Sequence, residues 1–442
     1  MKNYENSMKK FICIFSLLFI SSIYLGQIAV SAQSNESNQN VAISKENLQQ
    51  SPVEVPVPTQ KALDYYYEEI AWWLVYSFWD VLIAFLFLQT KASAKIRDFV
   101  QKITSRWYLA VAIYFTIFLI VNFLLSFPLY YYAGFVREHD YGLSTQTFYD
   151  WLTKPTITLI FNIVLSFLLL WIPYLLLRKS PKRWWFYVSL LMIPFFSLIM
   201  LIVPIFIDPL VENFSELKNK ELEAKVLQLA DRAGIEGIQI YEVEKSADTT
   251  KMNAYVVGIF NTKRIVLWDT IVKGMDEDEL LFVVAHEMGH YVLGHAVKKV
   301  IFFSILAFIF LFLVYKISTI LTTRFGRHWG FSELSDPAAM PLLILVFYGL
   351  LFVFSPLGLW NSRSNEHEAD RFALEFSRNN RACGTAFVKT QTENLIDPRP
   401  SLFIKIINAR HPPIGERIDF CNEYKPWEKG EPLQYDGLFK GK

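Results

Sequence analysis

Two histidines and a glutamate form the stretch of this sequence with the clearest chemical meaning. His286, Glu287 and His290 follow the pattern H-E-x-x-H. Residues four apart share a face of a helix, so both imidazoles are placed to bind one Zn²⁺. Glu287 would then lie beside the metal, where it could take a proton from a zinc-activated water. The pattern predicts a zinc hydrolase with Glu287 as its general base.

The flanking residues predict that this motif lies within a helix. Residues 276–279 are typical of an acidic helix start, and residues 280–285 are apolar. A catalytic zinc site needs a third protein ligand. The metzincin pattern would require glycine at Leu293 and histidine at Ala296, so it fails. His295 lies nine residues after His286, about half a turn around a continuous helix, and we expect a helix-surface residue there.

A second segment offers the missing ligand. Glu366 and Asp370 are four residues apart and would share one face of a helix. Glu366 is the candidate third ligand, and Asp370 is placed to accept a hydrogen bond from the second nitrogen of a zinc-bound imidazole. The alternative is a solvated acidic helix start. We favour the ligand interpretation because the topology returns both segments to the same side of a membrane.

Membrane helices must position these residues. Hydrophobic residues make up 53% of the 442 residues and charged residues only 19%, against about a quarter in soluble domains. The many Phe, Tyr and Trp side chains suit membrane spans with interfacial aromatics. A net charge of +1 gives no indication of nucleic-acid binding, so the expected partners are the lipid bilayer and a peptide or membrane-protein substrate.

The order of apolar and polar segments predicts a mainly α-helical, polytopic membrane protein. Lys9 and Lys10, the apolar run 11–30 and a small-residue site ending at Ala32 are typical of a signal peptide, with an uncleaved first transmembrane helix as the alternative. Six later apolar runs are each long enough to span a bilayer, at about 70–89, 107–131, 155–177, 184–207, 300–321 and 340–360. The predicted segments are 1–32, signal peptide or first span; 33–64, a polar linker, disordered to about residue 62; 65–207, transmembrane helices; 208–298, a first catalytic part with H-E-x-x-H; 299–360, a transmembrane hairpin; and 361–442, a second catalytic part with Glu366.

Charge predicts which side the catalytic segments face. The loops 91–106, 178–183 and 322–330 are basic and share one side, whereas the opposite loop 132–154 is more acidic. The positive-inside rule places the basic loops in the cytoplasm and the catalytic segments outside it. Lys298 and Lys299 argue weakly for the reverse orientation.

The cysteines exclude a thiolate metal site. Cys13, Cys383 and Cys421 have no C-x-x-C spacing, so zinc must be held by histidine and carboxylate. Cys383 and Cys421 could pair in an oxidising compartment, which the sequence alone does not establish.

Taken together, these motifs resemble the CAAX prenyl protease 1 type of integral-membrane zinc endopeptidase. The resemblance covers residues 65 to 425. It rests on H-E-x-G-H at 286–290, S-R-x-x-E-x-x-A-D at 362–370, the segments 135–144 and 253–270, Asp208-Pro209, and His411-Pro412-Pro413 with Glu416-Arg417-Ile418.

The resemblance implies a fold and further site residues. Its fold is a membrane body of six to seven helical spans around a water-filled chamber, with a gluzincin-like α+β protease domain formed by two segments and one Zn²⁺ per chain. It implies that an extended peptide binds along an edge strand at Asn253, Ala254 and Tyr255. It also implies that His411 stabilises the tetrahedral intermediate.

The sequence leaves alternatives open for the orientation in the membrane and for the function. Eukaryotic members of this family face the cytosol and cut prenylated CAAX tails, whereas the N-terminus and charge bias of this chain predict the opposite orientation. Export-side or membrane-embedded peptides then become more plausible substrates than prenylated ones. One rival function is a membrane chaperone or insertase with structural zinc, which the lack of zinc-binding cysteines disfavours. A transporter is disfavoured because no internal repeats are visible.

Overall fold

Long apolar helices dominate the chain, as its composition predicts. The computed structural model describes residues 51–202, 212–258 and 263–440, so the predicted signal segment, Cys13 and Asp208-Pro209 lie outside the described residues. The helices are α1 (Gln60–Gln89), α2 (Ala92–Ile103), α3 (Trp107–Tyr131), α4 (Arg137–Asp140), α5 (Phe148–Leu169), α6 (Trp171–Lys179), α7 (Trp184–Ile202), α8 (Lys220–Arg232), α9 (Asp269–Gly274), α10 (Glu277–Val292), α11 (His295–Trp329), α12 (Met340–Ser377), α13 (Asn380–Glu393), α14 (Leu402–Ile407), α15 (Ile414–Glu423) and α16 (Pro426–Lys429). The strands are β1 (Phe214–Glu216), β2 (Gln239–Val243), β3 (Ala254–Val257) and β4 (Arg264–Trp268).

Five helical stretches in the described ranges are long and apolar enough to cross a membrane. They are Gln60–Gln89, Trp107–Asp140, Phe148–Lys179, His295–Trp329 and Pro337–Ser377. Trp184–Leu198 is a shorter apolar helix, and α7, which contains it, is described as far as Ile202. Each predicted apolar run therefore falls on a helix, although the predicted run 184–207 extends past the described part.

The basic loops lie at one end of the membrane helices. Arg97 on α2 forms an ion pair with Asp336 and donates to the carbonyl of Gly330 at 3.2 Å, so α2 is held to the connection between α11 and α12. Arg178 lies over the ring of Trp107 at 4.9 Å. These contacts bring the loops 91–106 and 178–183 to the turn between the last two spans.

The two predicted protease segments meet the opposite end. Lys251 lies 3.0 Å from Glu138 and donates to the hydroxyl of Tyr65 at 2.7 Å. Ser144 and Thr249 form an isolated antiparallel bridge. The first span and the loop after the second therefore hold the segment that leads into β3.

A four-stranded sheet in the order β1-β2-β4-β3 forms the base of the protease domain. β2 and β4 are parallel, and the other pairs are antiparallel. β3 is an edge strand, because within the described sheet it pairs only with β4. Leu267 of β4, Met288 of α10 and Phe372 of α12 belong to one buried core, so segments before and after the α11–α12 hairpin fold together.

Local sequence explains the two helices that carry the site. Asp276 caps α10 and forms a reciprocal capping box with Glu279, as the acidic start predicts. α12 continues without a break from the membrane span into the protease domain. A disulfide joins Cys383 on α13 to Cys421 on α15, with Cα atoms 5.8 Å apart.

The prediction of a disordered linker to about residue 62 is wrong at its C-terminal end. Thr59 caps α1, which begins at Gln60. The backbone N–H and C=O of Val53 bond the side chain of Asn422, each at 2.9 Å, and Gln391 donates to the carbonyl of Pro56 at 2.9 Å. We call residues 52–59 the strap. It is ordered because polar side chains of the protease domain satisfy its extended backbone.

Candidate metal centre

Three predicted ligands meet where α10 and α12 pack together. The Nε2 atoms of His286 and His290 lie 3.2 Å apart. The carboxylate oxygens of Glu366 lie 3.3 Å from Nε2 of His286 and 3.4 Å from Nε2 of His290. These side chains form the group in the described residues that could hold a metal ion. The helical spacing aligns the two histidines, and the packing of α12 on α10 brings Glu366 to them.

We call the three donor groups of His286, His290 and Glu366 the ligand triangle. Asp370 lies behind this triangle, as its spacing predicts. Its Oδ1 atom is 2.9 Å from Nδ1 of His286, the nitrogen that faces away from the other ligands. Arg417 of α15 donates to both oxygens of Asp370, at 2.9 and 2.6 Å. Both charged side chains are buried, so each neutralises the other in a place that water does not reach.

The local charges favour a cation at the triangle. Burial lowers the pKa of His286, but hydrogen bonds and negative charge from Asp370 and Glu366 outweigh burial and raise that pKa to about 10. Burial raises the pKa of Glu287 above its usual range, although the neighbouring histidines oppose this shift. A carboxylate with a raised pKa is a better proton acceptor, which suits a general base.

Glu287 and His411 border the same space from different elements. The backbone N–H of Val256 on β3 faces Glu287 and acts against burial by lowering the pKa of that carboxyl. His411 lies in the loop before α15, and its Nε2 atom is 3.6 Å from Glu366. Its side chain is 61% exposed, so the triangle is open on that side.

The predicted substrate residues lie on the edge strand or just before it. The carbonyl of Asn253 accepts from the N–H of Trp268 at 3.2 Å, and Tyr255 is opposite Val266. Antiparallel pairs alternate, so the backbone groups of Ala254 and Val256 point to the open edge. The amide of Ala254 accordingly contacts the side chain of Asn253 at 3.0 Å instead of β4.

Two family models together span the membrane body and the protease domain. One, described as CAAX prenyl protease N-terminal with five membrane helices, matches residues 57–213. The other, described as Peptidase family M48, matches residues 216–425. An uncharacterized metalloprotease of Bacillus subtilis, YhfN, is 34% identical over 351 residues, covering 78% of this chain and 80% of that protein. The chain belongs to peptidase family M48.

Further relatives define the type within this family. CAAX prenyl protease 1 of Saccharomyces cerevisiae is 30% identical over 329 residues, covering 68% of this chain and 70% of that protein. The crystal structure of S. mikatae Ste24p has the same fold, with a TM-score of 0.73 at 23% identity, covering 86% of this chain and 94% of that chain. This M48 peptidase is a membrane metalloprotease of the CAAX protease type, and the predicted polytopic helical fold with a protease domain is confirmed.

The prediction for His295 in this M48 peptidase is wrong. The side chain is buried, and its Nδ1 atom lies 2.7 Å from Nδ1 of His290. α10 ends at Val292, and Gly294 takes a left-handed conformation with φ of 66° before α11 begins at His295. A continuous helix would have carried His295 away, whereas the left-handed glycine turns it back toward the site.

Arg417 is a residue of the candidate site that the sequence analysis did not identify. It falls within the late motif that follows His411-Pro412-Pro413, but an arginine side chain is normally solvated. A sequence signal existed in the unpaired Asp370, since a buried carboxylate needs a cation. Only the packing of α15 against α12 identifies Arg417 as that cation.

Proposed function

We propose that this M48 peptidase is a zinc-dependent endopeptidase in which His286, His290 and Glu366 hold the metal. The main evidence for this proposal is the geometry of the ligand triangle. Zinc binds imidazole nitrogen and carboxylate oxygen at about 2.0–2.2 Å with tetrahedral geometry, for which ligand atoms lie roughly 3.3–3.5 Å apart. The two Nε2 atoms lie 3.2 Å apart, Nε2 of His286 lies 3.3 Å from Oε2 of Glu366, and Nε2 of His290 lies 3.4 Å from Oε1 of the same carboxylate. These donors therefore fit one zinc ion per chain.

Zinc bound there would supply Lewis acidity that activates water and polarises the scissile carbonyl. Side chains of the protein would transfer the protons, stabilise the oxyanion and orient the ligands. Glu287 accepts the proton of the attacking water and passes it to the leaving amine, a role its raised pKa favours. His411, on the exposed side of the triangle, donates a hydrogen bond to the oxyanion that develops on the carbonyl. Asp370 fixes the tautomer and ring orientation of His286.

The open edge of β3 is the proposed substrate site. An extended peptide that pairs with the backbone of Ala254 and Val256 would run past Glu287, which lies within hydrogen-bond reach of Val256. Asn253 and Tyr255, which bond toward β4, would hold the strand in register rather than contact the peptide backbone. Pairing through backbone groups tolerates many sequences. The expected substrates are peptides or membrane-associated proteins, prenylated CAAX-type C-termini included.

We place the catalytic domain on the extracytoplasmic side. The basic loops lie at the end of the helices remote from the metal centre, in accordance with the positive-inside rule. The Cys383–Cys421 disulfide belongs to the protease domain, and disulfides persist in oxidising compartments. The strap, which follows the predicted export segment, contacts the same domain.

A comparison of wild type with Glu287→Gln tests the enzymatic proposal. Zinc per chain and cleavage of a quenched peptide library would be measured on both proteins purified in detergent. We expect one zinc in each and cleavage only by the wild type, because glutamine keeps the shape of Glu287 but cannot accept the proton. Glu366→Ala serves as the metal control and should lose zinc.

Two results would reject specific assignments. Full activity in Glu287→Gln would show that another residue is the base. Wild-type zinc content in Glu366→Ala would identify a different third ligand. Zinc without cleavage in the wild type would direct the assay to prenylated peptides.

A further inference from the structure

We infer that His295 and Glu368 form a hydrogen-bonded chain that fixes the orientation of the ligand His290. They are positioning residues, since neither belongs to the ligand triangle. The inference rests on the proposed zinc site and adds a second layer of residues to it.

The distances define the chain. Nδ1 of His290 lies 2.7 Å from Nδ1 of His295. Nε2 of His295 lies 3.2 Å from Oε2 of Glu368, and Lys298 donates to the same oxygen at 2.8 Å. The side chain of His295 is only 2% exposed, so these two neighbours take the place of water for both of its nitrogens.

With Nε2 of His290 given to the proposed metal, one set of proton positions satisfies every contact. The neutral ring of His290 then carries its proton on Nδ1 and donates it to His295. Nδ1 of His295 must then accept, which places its own proton on Nε2. That proton is donated to Glu368, which as a carboxylate can only accept. His295 thus selects the tautomer of His290 that leaves Nε2 free for a metal.

The two ligand histidines have parallel support. His286 contacts Asp370, and Asp370 is neutralised by Arg417. His290 contacts His295, whose far nitrogen meets Glu368, and Glu368 is neutralised by Lys298. Each chain begins at a ligand and ends at a cation. A histidine kept only to fill space would not need both nitrogens aligned in this way.

Backbone geometry places His295 in this chain. Gly294 has a φ of 66°, and no atom lies within 4 Å of the position that a Cβ would occupy. Glycine is therefore needed there for its conformation rather than for space. The left-handed residue separates α10 from α11, so the first residue of a membrane span supports a metal ligand.

Four variants test the inference. His295→Phe keeps a ring but removes the acceptor, whereas His295→Asn retains an acceptor near the position of Nδ1. Glu368→Leu removes the outer partner. His367→Phe is the matched control, because His367 lies beside Glu366 in sequence but packs on Phe420, away from the triangle. Zinc affinity would be measured by chelator competition, the Co²⁺ absorption spectrum would be recorded, and the thermal midpoint of each metal-free protein determined.

We expect His295→Phe to weaken zinc binding by roughly 10–100-fold, the usual effect of losing such a partner. Its Co²⁺ spectrum should change, while the midpoint of the metal-free protein stays close to that of the wild type. His295→Asn should recover most of the zinc affinity. The zinc affinity of Glu368→Leu should lie between those of His295→Phe and His295→Asn, and that of His367→Phe should equal the wild-type value.

The opposite pattern would overturn the inference. Unchanged zinc affinity in His295→Phe would show that His295 does not support His290. An equal loss in His295→Phe and His295→Asn, with a lower midpoint of the metal-free protein in both, would make the role of His295 purely structural. A wild type that binds no zinc would reject the proposed zinc site, and with it this inference. Normal zinc binding by both the wild type and His295→Phe would reject the inference alone.

Discussion

Arg417 illustrates, at the scale of single residues, how the site depends on groups that do not contact a metal. It contacts both oxygens of Asp370, and its guanidinium lies 4.0 Å from the centre of the Phe387 ring. Asp370 in turn contacts His286. The proposed ligands and Asp370 could be predicted because helical spacing is visible in sequence. Arg417 and His295 could not, because their contacts cross between helices or depend on one backbone angle.

Loss of Arg417 should destabilise the protein strongly. Arg417→Met keeps much of the side-chain volume but leaves Asp370 as a buried carboxylate without its arginine partner. Removing one partner of a buried ion pair lowers the free energy of unfolding by about 3–5 kcal/mol. We expect a lower thermal midpoint in detergent and weaker zinc binding.

Arg399→Met is the matched control for this prediction. Arg399 pairs with Asp419 at 2.9 Å, but both side chains are largely exposed. Such pairs contribute about 0–1 kcal/mol. Equal midpoints for the two variants would contradict the structural importance of Arg417.

At the scale of elements, the site depends on the close approach of α10 and α12. Gly289 lies between the two ligand positions, and a Cβ there would lie 3.0 Å from Cδ1 and 3.2 Å from Cβ of Phe372. The ring of Phe372 is fully buried and cannot move into solvent. The glycine of H-E-x-G-H in this chain therefore allows the helix with two ligands to reach the helix with the third.

Gly289→Ala should push these helices apart. Overpacking of this kind costs about 1–3 kcal/mol, and a small displacement would separate Glu366 from the two histidines. We expect weaker zinc binding together with a lower thermal midpoint. A second substitution, Phe372→Leu, makes room for the added methyl group. It should restore part of the zinc affinity and part of the thermal midpoint.

Gly349→Ala controls for the effect of alanine in a long helix. Gly349 lies on α12, and no atom is within 4 Å of its Cβ position. This change should leave zinc binding unaltered. A Gly289→Ala protein with normal zinc affinity would show that the helices tolerate the extra methyl group without moving the ligands.

At the scale of the whole molecule, the membrane hairpin α11–α12 determines where the protease domain is completed. α11 begins beside the metal centre, and α12 returns to it from the opposite end. The strap and the loop after α3 contact the same domain. The membrane helices thus support the protease domain from several sides, and its orientation follows from theirs.

Cysteine labelling of intact cells should reveal this orientation. Lys429→Cys places a thiol on the exposed surface of the protease domain, and Lys102→Cys places one in the basic loop. We expect a membrane-impermeant maleimide to label Lys429→Cys in intact cells and Lys102→Cys only after permeabilisation. The wild type reports the background from its native cysteines. The reverse pattern would place catalysis in the cytoplasm.

The sequence by itself determined the membrane class and the membrane helices, and it predicted the proposed ligand set together with Asp370 behind it. These properties depend on composition and on spacing along one helix, which are local. Tertiary structure decided the pairing of Asp370 with Arg417, the position of His295 behind His290 and the order of the strap. Each of these depends on residues far apart in the chain or on a single left-handed glycine, and neither is encoded in a periodic pattern.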